Sequence, residues 1–132
     1  MASFRVRSGS RRELVDITRQ VSAHIPSGVG AALLWVPHTT AALTVNEGFD
    51  PDVALDIADA LERISPRDAP HRHAEGNSDA HVLATVIGPD LLLPYRDGGV
   101  RLGRWQRVFL VELDGPRERT VQVTFLPGGD SS

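Results

Sequence analysis

Apolar residues recur with helical spacing in three stretches of the chain. The clearest stretch is 50–65, DPDVALDIADALERIS, where the apolar positions share one helix face and the opening Asp-Pro suits an N-cap and a first helical residue. A short helix is predicted between Thr18 and Pro26, and 79–88, DAHVLATVIG, is predicted as a helix capped by Asp79. The pattern therefore predicts two or three helices.

Alternating or continuous apolar runs predict the strands. Residues 3–9 and 12–18 are predicted to form a hairpin with its turn near Gly9, and the run 30–37 is predicted as a buried strand with 41–48 as its neighbour. Further runs follow at short spacing with glycine-bearing turns, which is the pattern of an antiparallel meander. These runs are 91–99, 100–105, 106–115 and 119–126.

Helices and antiparallel strands in one chain predict an α+β fold with a largely antiparallel sheet and helices grouped on one face or side. A length of 132 residues with 41% hydrophobic content fits a single compact domain with one core. We expect this domain to span residues 1–127, with 128–132 as a flexible C-terminal tail.

Composition narrows the chemistry that the chain can support. Cysteine is absent, which excludes disulfides, thiolate nucleophiles and cysteine-type zinc sites, so a bound metal must be held by imidazole nitrogen and oxygen. Lysine is absent too, and all 14 basic residues are arginine, so anions must be recognised by guanidinium groups or backbone amides.

The charge pattern argues against two classes of partner. A net charge of -3, with arginines scattered among acidic residues, gives no broad cationic stripe for nucleic acid. No stretch approaches the roughly 18 consecutive apolar residues that a membrane span needs. The positive charges at the start are followed by no apolar run, as a targeting segment would require. We therefore expect a soluble cytoplasmic protein with no membrane partner.

Three of the five histidines fall in the segment 71–81, HRHAEGNSDAH. His71 and His73 would point the same way in an extended segment, and a loop across the Gly-Asn pair could bring two of the rings together with His81. The spacing matches none of the sharp helical metal motifs. A metal site, a catalytic base with its support and a polar loop rich in imidazole therefore stay open as alternatives.

A fourth histidine, His38, follows the apolar run 30–37, and functional side chains often lie in the loop after a buried strand. The hydroxyls of Thr39 and Thr40 and the carboxylate of Glu47 follow within the same segment, PHTTAALTVNEG. The alternative is structural, since His38 and Thr39 could only cap the strand end while Glu47 neutralises a nearby arginine.

Two C-terminal segments add polar candidates. Trp105 and Gln106 offer an indole and an amide, although a tryptophan in a strand is most often a core residue. In DGPRER, Arg117 and Arg119 stand at alternating positions near Asp114. These arginines could grip a phosphate or form salt bridges across a subunit contact.

The order of these pieces resembles the YjbQ-like family, also called the secondary thiamine-phosphate synthases. The resemblance covers nearly the whole chain, through the segments PHTTAALTVNE, DPDVALDI, AEGNSDAH and PYRDGGVRLGRWQRVFLVELDGPRERTVQV. Two positions depart from the family pattern. His71 stands where a tyrosine is usual, and Arg104 stands where a threonine commonly precedes the tryptophan.

The resemblance implies a compact α+β fold, a homotrimer and a metal site of three histidines near a subunit boundary. The implied metal ligands are His38, His73 and His81, and the implied cofactor is a divalent metal ion, zinc or a similar ion. On the same resemblance, Asn46, Asn77, Trp105 and Gln106 are assigned to cofactor binding, and Glu47, Arg117 and Arg119 are assigned to catalysis.

The activity implied by the resemblance joins a pyrimidine diphosphate to a thiazole phosphate with loss of pyrophosphate, although the physiological role of the family is unsettled. We therefore expect a metal-dependent transferase that acts on small phosphorylated molecules. One alternative is a non-catalytic trimer that binds a metal or a phosphate ligand. Another is a structural trimer whose histidines only form hydrogen bonds across subunits.

Specific positions follow for the side chains of this site. Glu47 is expected to approach the histidines, where it would orient a ligand histidine or accept a proton. Arg117 or Arg119 is expected to line the same cavity and receive an anionic substrate group. His71 is expected to matter less.

Overall fold

Two antiparallel sheets and three helices build the chain, which a computed structural model describes over residues 2–128. The stretches with helical spacing form the helices, and the alternating and continuous apolar runs form the strands, except that only Val100 of the run 100–105 lies in a strand. In chain order the elements are β1 Ala2–Arg7, β2 Glu13–Asp16, α1 Thr18–Ser22, β3 Val29–Trp35, β4 Ala41–Glu47, α2 Pro51–Ile64, α3 Ser78–Ile87, β5 Asp90–Arg96, β6 Gly99–Val100, β7 Gln106–Glu112 and β8 Glu118–Pro127.

The larger sheet has five strands in the order β1-β8-β3-β5-β6, and the smaller sheet has three in the order β2-β7-β4. All the strand pairs are antiparallel. The predicted fold class is therefore confirmed: the chain is a single compact α+β domain with antiparallel sheets. The single sheet that the meander implied is divided into two.

The predicted strand pairings are mostly wrong. β1 and β2 do not form a hairpin, because β1 pairs with β8 in one sheet and β2 pairs with β7 in the other. β4 does not lie beside β3, which pairs with β5 and β8. Of the predicted meander, only the β5–β6 hairpin is present, turning at Asp97 and Gly98 with φ angles of 45° and 84°.

Two short connections between consecutive strands contain a buried polar residue where the chain passes from one sheet to the other. Strands joined by such a connection are therefore not neighbours in a sheet. Ser8 follows β1, and its hydroxyl donates to Glu112 at 2.8 Å. Thr40 precedes β4, and its carbonyl accepts from Arg119 at 2.9 Å. Because Ser8 and Thr40 have hydrogen-bond partners inside the protein, the chain can cross between the sheets at these two residues instead of turning at the surface.

The main core lies between the two sheets, and a second core lies under the helices. Strand alternation divides β4 between them, since Leu43 faces the larger sheet and Ala42 faces the helices. Ala80 and Leu83 of α3 pack in the second core with Val111 of β7. The layers are therefore α2 with α3, the three-stranded sheet and the five-stranded sheet, while α1 packs against the main core through Val21.

The outer face of the five-stranded sheet carries exposed apolar side chains. Trp35 is 43% exposed, Leu92 is 61% exposed and Leu126 is 49% exposed. Leu92 lies opposite Leu33, and Leu126 lies opposite Ala31. These five residues, which we call the outer sheet patch, therefore form adjoining positions on one face of β3, β5 and β8.

Of the two predicted helix caps, one is confirmed and the other is wrong. Asp50 caps α2 as predicted, since its carboxylate accepts from the Asp52 amide and Pro51 is the first helical residue. Asp79 does not cap α3, whose N-cap is Asn77. Asp79 is instead fully buried and ion-paired with arginines.

The described part of the chain ends at Gly128, beside the start of β3. The Gly128 amide donates to the Val29 carbonyl at 2.8 Å, and residues 129–132 of the predicted tail lie outside the described residues. Within residues 2–128, no helix is long and apolar enough to cross a membrane.

Candidate functional site

A small cavity lies between the end of β3 and helix α3, and it contains two of the predicted histidines. His38 reaches it from the loop after β3, and His81 reaches it from the first turn of α3. The cavity measures about 310 Å³, and its remaining lining residues are Thr39, Ala41, Ala84, Thr85 and Pro89. The fold therefore brings His38 and His81 to one place, although β4 and α2 lie between them in the chain.

His73 joins this group through His81. The two ring centroids are 5.5 Å apart, and the ring planes meet at 88°. His73 is 41% exposed, and its Nε2 lies 3.5 Å from the carboxylate of Glu75. The neighbouring His71 has its Nε2 3.2 Å from the Pro66 carbonyl oxygen, so its ring is engaged with the backbone of its own loop.

His38 is held by the backbone of β8. The amide of Thr120 donates to His38 Nε2 at 2.9 Å. Burial lowers the pKa of His38 below its ordinary value of 6.5, and the positive charge of Arg119 lowers it further. Both causes favour the neutral ring, which is also the form that can accept the Thr120 hydrogen bond.

A buried ion pair supports this part of the site. Arg119 is 2% exposed and Glu112 is 0% exposed, and the Arg119 guanidinium donates to both oxygens of the Glu112 carboxylate. The same guanidinium donates to the carbonyl and hydroxyl oxygens of Thr40. Arg119 was expected to receive a substrate anion, and in this structure its side chain is buried and bound to a carboxylate. Arg119 instead anchors Thr40, two residues after His38.

Arg117 occupies a more exposed position. Its guanidinium donates to the backbone carbonyl of Asp114 at 2.9 Å and to the carboxylate of Asp114 at 3.0 Å. Asn77, the N-cap of α3, donates to the same carboxylate at 3.0 Å. Asp114 therefore ties the start of the helix that carries His81 to the loop that carries Arg117, and the half-exposed Arg117 stays accessible to an anion.

Glu47 lies away from the histidines within one chain. In β4, Ala41 is opposite Glu112 and Glu47 is opposite Gln106. The rise of a strand over these six steps is roughly 20 Å. Glu47 accepts hydrogen bonds from the amides of Phe49 and Asp50 at 3.1 and 2.9 Å. The expectation that Glu47 approaches the histidine cavity is therefore not met by contacts within one chain.

The other predicted binding residues surround Glu47. Trp105 is 52% exposed and makes an edge-to-face contact with Phe49, with ring centroids 5.6 Å apart. The guanidinium of Arg104 lies 4.7 Å from the Trp105 ring centroid. Asn46, Glu47, Trp105 and Gln106 thus form a second cluster, which we call the Trp105 cluster, at the opposite end of β4 from His38.

The fit of a metal ion to the three histidines is partial. An ion about 2.0–2.1 Å from each ring nitrogen lies roughly 3 Å from each ring centroid, so the spacing of His73 and His81 suits a shared ion. His38 does not fit, because its Nε2 lone pair accepts the Thr120 amide. Among residues 2–128, no three His, Asp or Glu side chains come together as a metal site.

The sequence interpretation missed Asp79 as part of the support for His81. The Asp79 carboxylate is ion-paired with both Arg11 and Arg12, and Glu62 of α2 is ion-paired with the same arginines. Two guanidinium groups on one buried carboxylate fix the first turn of α3, where His81 stands. The consecutive arginines Arg11 and Arg12 lie 68 and 67 residues away, so nothing near Asp79 in the sequence pointed to this pairing, and an aspartate at a helix start is usually a cap.

The buried Glu112 predicts a loss of stability in acid. Burial raises the pKa of this carboxyl group, but hydrogen bonds from Arg119, the Asp114 amide and Ser8 outweigh burial and lower it below 4.5. Because the pKa of Glu112 is lower in the folded chain than in the unfolded chain, the unfolded chain takes up the proton first as the pH falls. The contribution of Glu112 to the free energy of unfolding is therefore complete above about pH 4.5 and is lost as the pH drops toward the folded pKa. Urea unfolding measured between about pH 7 and pH 3 should show this fall. Constant stability over that range would contradict it.

Comparison with known proteins gives one consistent family. The profile of the family described as UPF0047 protein YjbQ-like matches residues 2–128. UPF0047 protein YugU of Bacillus subtilis is 36% identical over 130 residues, which cover 96% of this chain and 98% of the relative. A UPF0047 protein of Methanocaldococcus jannaschii is 39% identical over 126 residues, which cover 93% of this chain and 91% of the relative.

Solved structures agree with the sequence comparison. A conserved hypothetical protein from Thermus thermophilus is 46% identical and has a TM-score of 0.92, over 96% of this chain and 100% of that chain. An uncharacterized conserved protein from Clostridium acetobutylicum is 34% identical and has a TM-score of 0.89, over 96% of this chain and 100% of that chain.

Proposed function

The chain belongs to the UPF0047 YjbQ-like family, and from that premise we propose that it is a metal-dependent enzyme that acts on a small phosphorylated molecule. The observation that carries the proposal is that His81 lies close to both of the other predicted ligand histidines. His38 and His81 line one cavity, and the His73 ring stands 5.5 Å from the His81 ring. If the histidine-rich segment were only a polar loop, nothing would require His38, after β3, to line the same cavity as His81 of α3.

The candidate reaction is thiamine-phosphate formation. A ring nitrogen of the thiazole phosphate attacks the methylene carbon of the pyrimidine diphosphate, the bond from that carbon to oxygen breaks, and pyrophosphate leaves with the electron pair. A divalent ion held by His73 and His81 would supply positive charge for the departing pyrophosphate. Arg117 is half-exposed beside Asp114 and would bind a phosphate group. Arg119 would hold the loop of His38 in place.

The assembly proposed for this enzyme is a homotrimer with a site shared between subunits. One chain leaves the Trp105 cluster roughly 20 Å from the histidine cavity, by the rise of β4. A second copy could bring its own Glu47 and Trp105 to that cavity, and the outer sheet patch offers an apolar surface for the contact. In this arrangement Glu47 of a neighbouring copy orients a ligand histidine or accepts a proton.

A second candidate function is binding without catalysis. The observation that favours it is the position of Glu47, because its carboxylate accepts two backbone amides and lies far from the histidines of its own chain. A trimer that only sequesters a metal or phosphate ligand needs no proton acceptor at the cavity. The two functions differ in one property: an enzyme keeps an exchangeable position on its metal, whereas a storage site closes the ligand shell. The predicted cytoplasmic location stays a prediction.

The metal proposal predicts a specific loss in one histidine variant. Protein purified without an affinity tag should contain a divalent metal by elemental analysis, and His81→Ala should reduce that content to background without unfolding the chain. His24→Ala is the matched control, since His24 stacks on Phe4 away from the cavity and should keep the metal.

The catalytic proposal is tested by the rate at which the same proteins form thiamine phosphate. His81→Ala and Glu47→Ala should each lower the rate by roughly a hundredfold or more, in the range found when one electrostatic group of an active site is removed. His24→Ala should keep the full rate. Formation that survives both site substitutions unchanged would exclude the enzymatic proposal and favour binding, even if the metal were present.

A further inference from the structure

We infer that His38 is a hydrogen-bond donor to an oxyanion of the ligand, through Nδ1–H, and that it does not bind the metal. The inference deepens the proposed function, on which it rests for the presence of a phosphorylated ligand in the cavity. It divides the three histidines into two classes: His73 and His81 offer ring nitrogens to a cation, and His38 offers a proton to an anion.

The tautomer of His38 follows from one hydrogen bond. The Thr120 amide is a donor and cannot accept, so His38 Nε2, 2.9 Å away, must present its lone pair to that amide. A neutral imidazole carries one proton, which is therefore on Nδ1. Neither nitrogen is then free for a metal, because one lone pair is occupied and the other nitrogen is protonated.

A metal-binding histidine has the opposite arrangement. Its second ring nitrogen normally donates its proton to a carboxylate, a carbonyl or a water, and that hydrogen bond makes the ligating nitrogen more basic. His38 has an amide proton pointing at it where such an acceptor would be required. Binding of a cation by His38 would require the ring to leave β8.

The charges around His38 favour an anion. The guanidinium groups of Arg119 and Arg117 both act on His38 electrostatically, and the buried Glu112 offsets them in part. Thr39 lies beside His38 on the cavity wall and carries a hydroxyl that can donate. A phosphate or carboxylate oxygen has the acceptor chemistry that this wall can bind.

Two substitutions at His38 separate the two edges of its ring. The side-chain amide nitrogen of asparagine takes nearly the position of Nδ1, so His38→Asn keeps a donor toward the cavity. The amide group of glutamine reaches the position of Nε2, so His38→Gln can still accept the Thr120 amide through its oxygen but has no donor at Nδ1. The pair therefore distinguishes ligand binding from support of β8.

Inorganic phosphate is the probe, and binding is measured by calorimetry on the full chain with any metal it carries. We expect His38→Asn to bind phosphate within about threefold of the unsubstituted protein, and His38→Gln to bind it roughly tenfold to a hundredfold more weakly, as for loss of one hydrogen bond to a charged group. Equal affinity in the two variants, a weaker affinity in His38→Asn, or no phosphate binding by the unsubstituted protein would overturn the inference.

Two further measurements do not depend on phosphate. Nitrogen-15 NMR of the histidine rings should show His38 with an unprotonated Nε2 and a protonated Nδ1. Elemental analysis should find the metal content unchanged in both His38 variants. A protonated Nε2, or loss of metal with either substitution, would overturn the inference. Failure of thiamine-phosphate formation would overturn only the proposed reaction, because none of these readouts measures turnover.

Discussion

Replacing Arg119 with methionine should destabilise the protein by about 3–5 kcal/mol, the cost of removing one partner from a buried ion pair. The Arg119 side chain is 2% exposed and its partner Glu112 is 0% exposed, so the substitution leaves a carboxylate without its counter-ion inside the protein. Thr40 loses the guanidinium that donates to its carbonyl and hydroxyl oxygens. Urea unfolding at neutral pH measures the change.

Arg117→Met is the matched control for this prediction. The Arg117 side chain is 50% exposed and its partner Asp114 is 19% exposed, so this loss should stay within about 1 kcal/mol. A second variant tests the cause of the large effect. In Arg119→Met combined with Glu112→Leu neither charge of this buried pair remains, and much of the lost stability should return. Equal losses for Arg119→Met and Arg117→Met would contradict the role of the buried pair.

Local rules predicted the elements well because the causes of those elements are local. Asp50 and Pro51 begin α2 as the sequence indicates, since capping needs only a side chain and an amide two residues away. The β5–β6 hairpin was also predictable, because Asp97 and Gly98 adopt the positive φ angles that the turn requires.

Strand pairing could not be predicted by the same rules. β3 pairs with β5 and β8, which are distant in sequence, while its neighbour in sequence, β4, lies in the other sheet. Between β3 and β4 the chain passes through Thr40, which is buried against Arg119, a contact over a sequence separation of 79. The hydrophobic pattern of the sequence gives no information about such a long-range contact.

The candidate site also has features that the sequence predicted and features that it could not predict. The family resemblance selected His38, His73 and His81, and the structure brings His81 together with each of the other two. The chemical state of His38 was not predictable, because it depends on the Thr120 amide at a sequence separation of 82. Asp79 was assigned the wrong role for the same reason, since Arg11 and Arg12 reach it from the far end of the chain.

Replacing Leu92 with arginine should convert the proposed trimer into monomers. Leu92 is 61% exposed and lies opposite Leu33 in the outer sheet patch. A charge buried without a partner in an apolar contact costs several kcal/mol in each interface. Sedimentation should give the mass of three chains for the unsubstituted protein and the mass of one chain, 14.3 kDa, for Leu92→Arg.

Val86→Arg is the control that locates the interface. Val86 is 70% exposed, but it lies on α3 and not on the five-stranded sheet, so this variant should remain a trimer. A monomeric Val86→Arg together with a trimeric Leu92→Arg would assign the interface to the helical side. A monomeric unsubstituted protein at micromolar concentration would contradict the trimer itself.

Mixed trimers then test whether the site needs two copies. His81→Ala removes the histidine side of every site, and Glu47→Ala removes the Trp105 cluster side, so each variant alone should be inactive. If each cavity takes its Glu47 from a neighbouring copy, one site in a mixed trimer can combine an intact His81 with an intact Glu47. Random exchange of equal amounts of the two variants around a closed ring should then restore about one quarter of the activity. Two variants that stay inactive after full subunit exchange would mean that His81 and Glu47 act from the same chain, and the roughly 20 Å length of β4 would then have to be spanned by a conformational change.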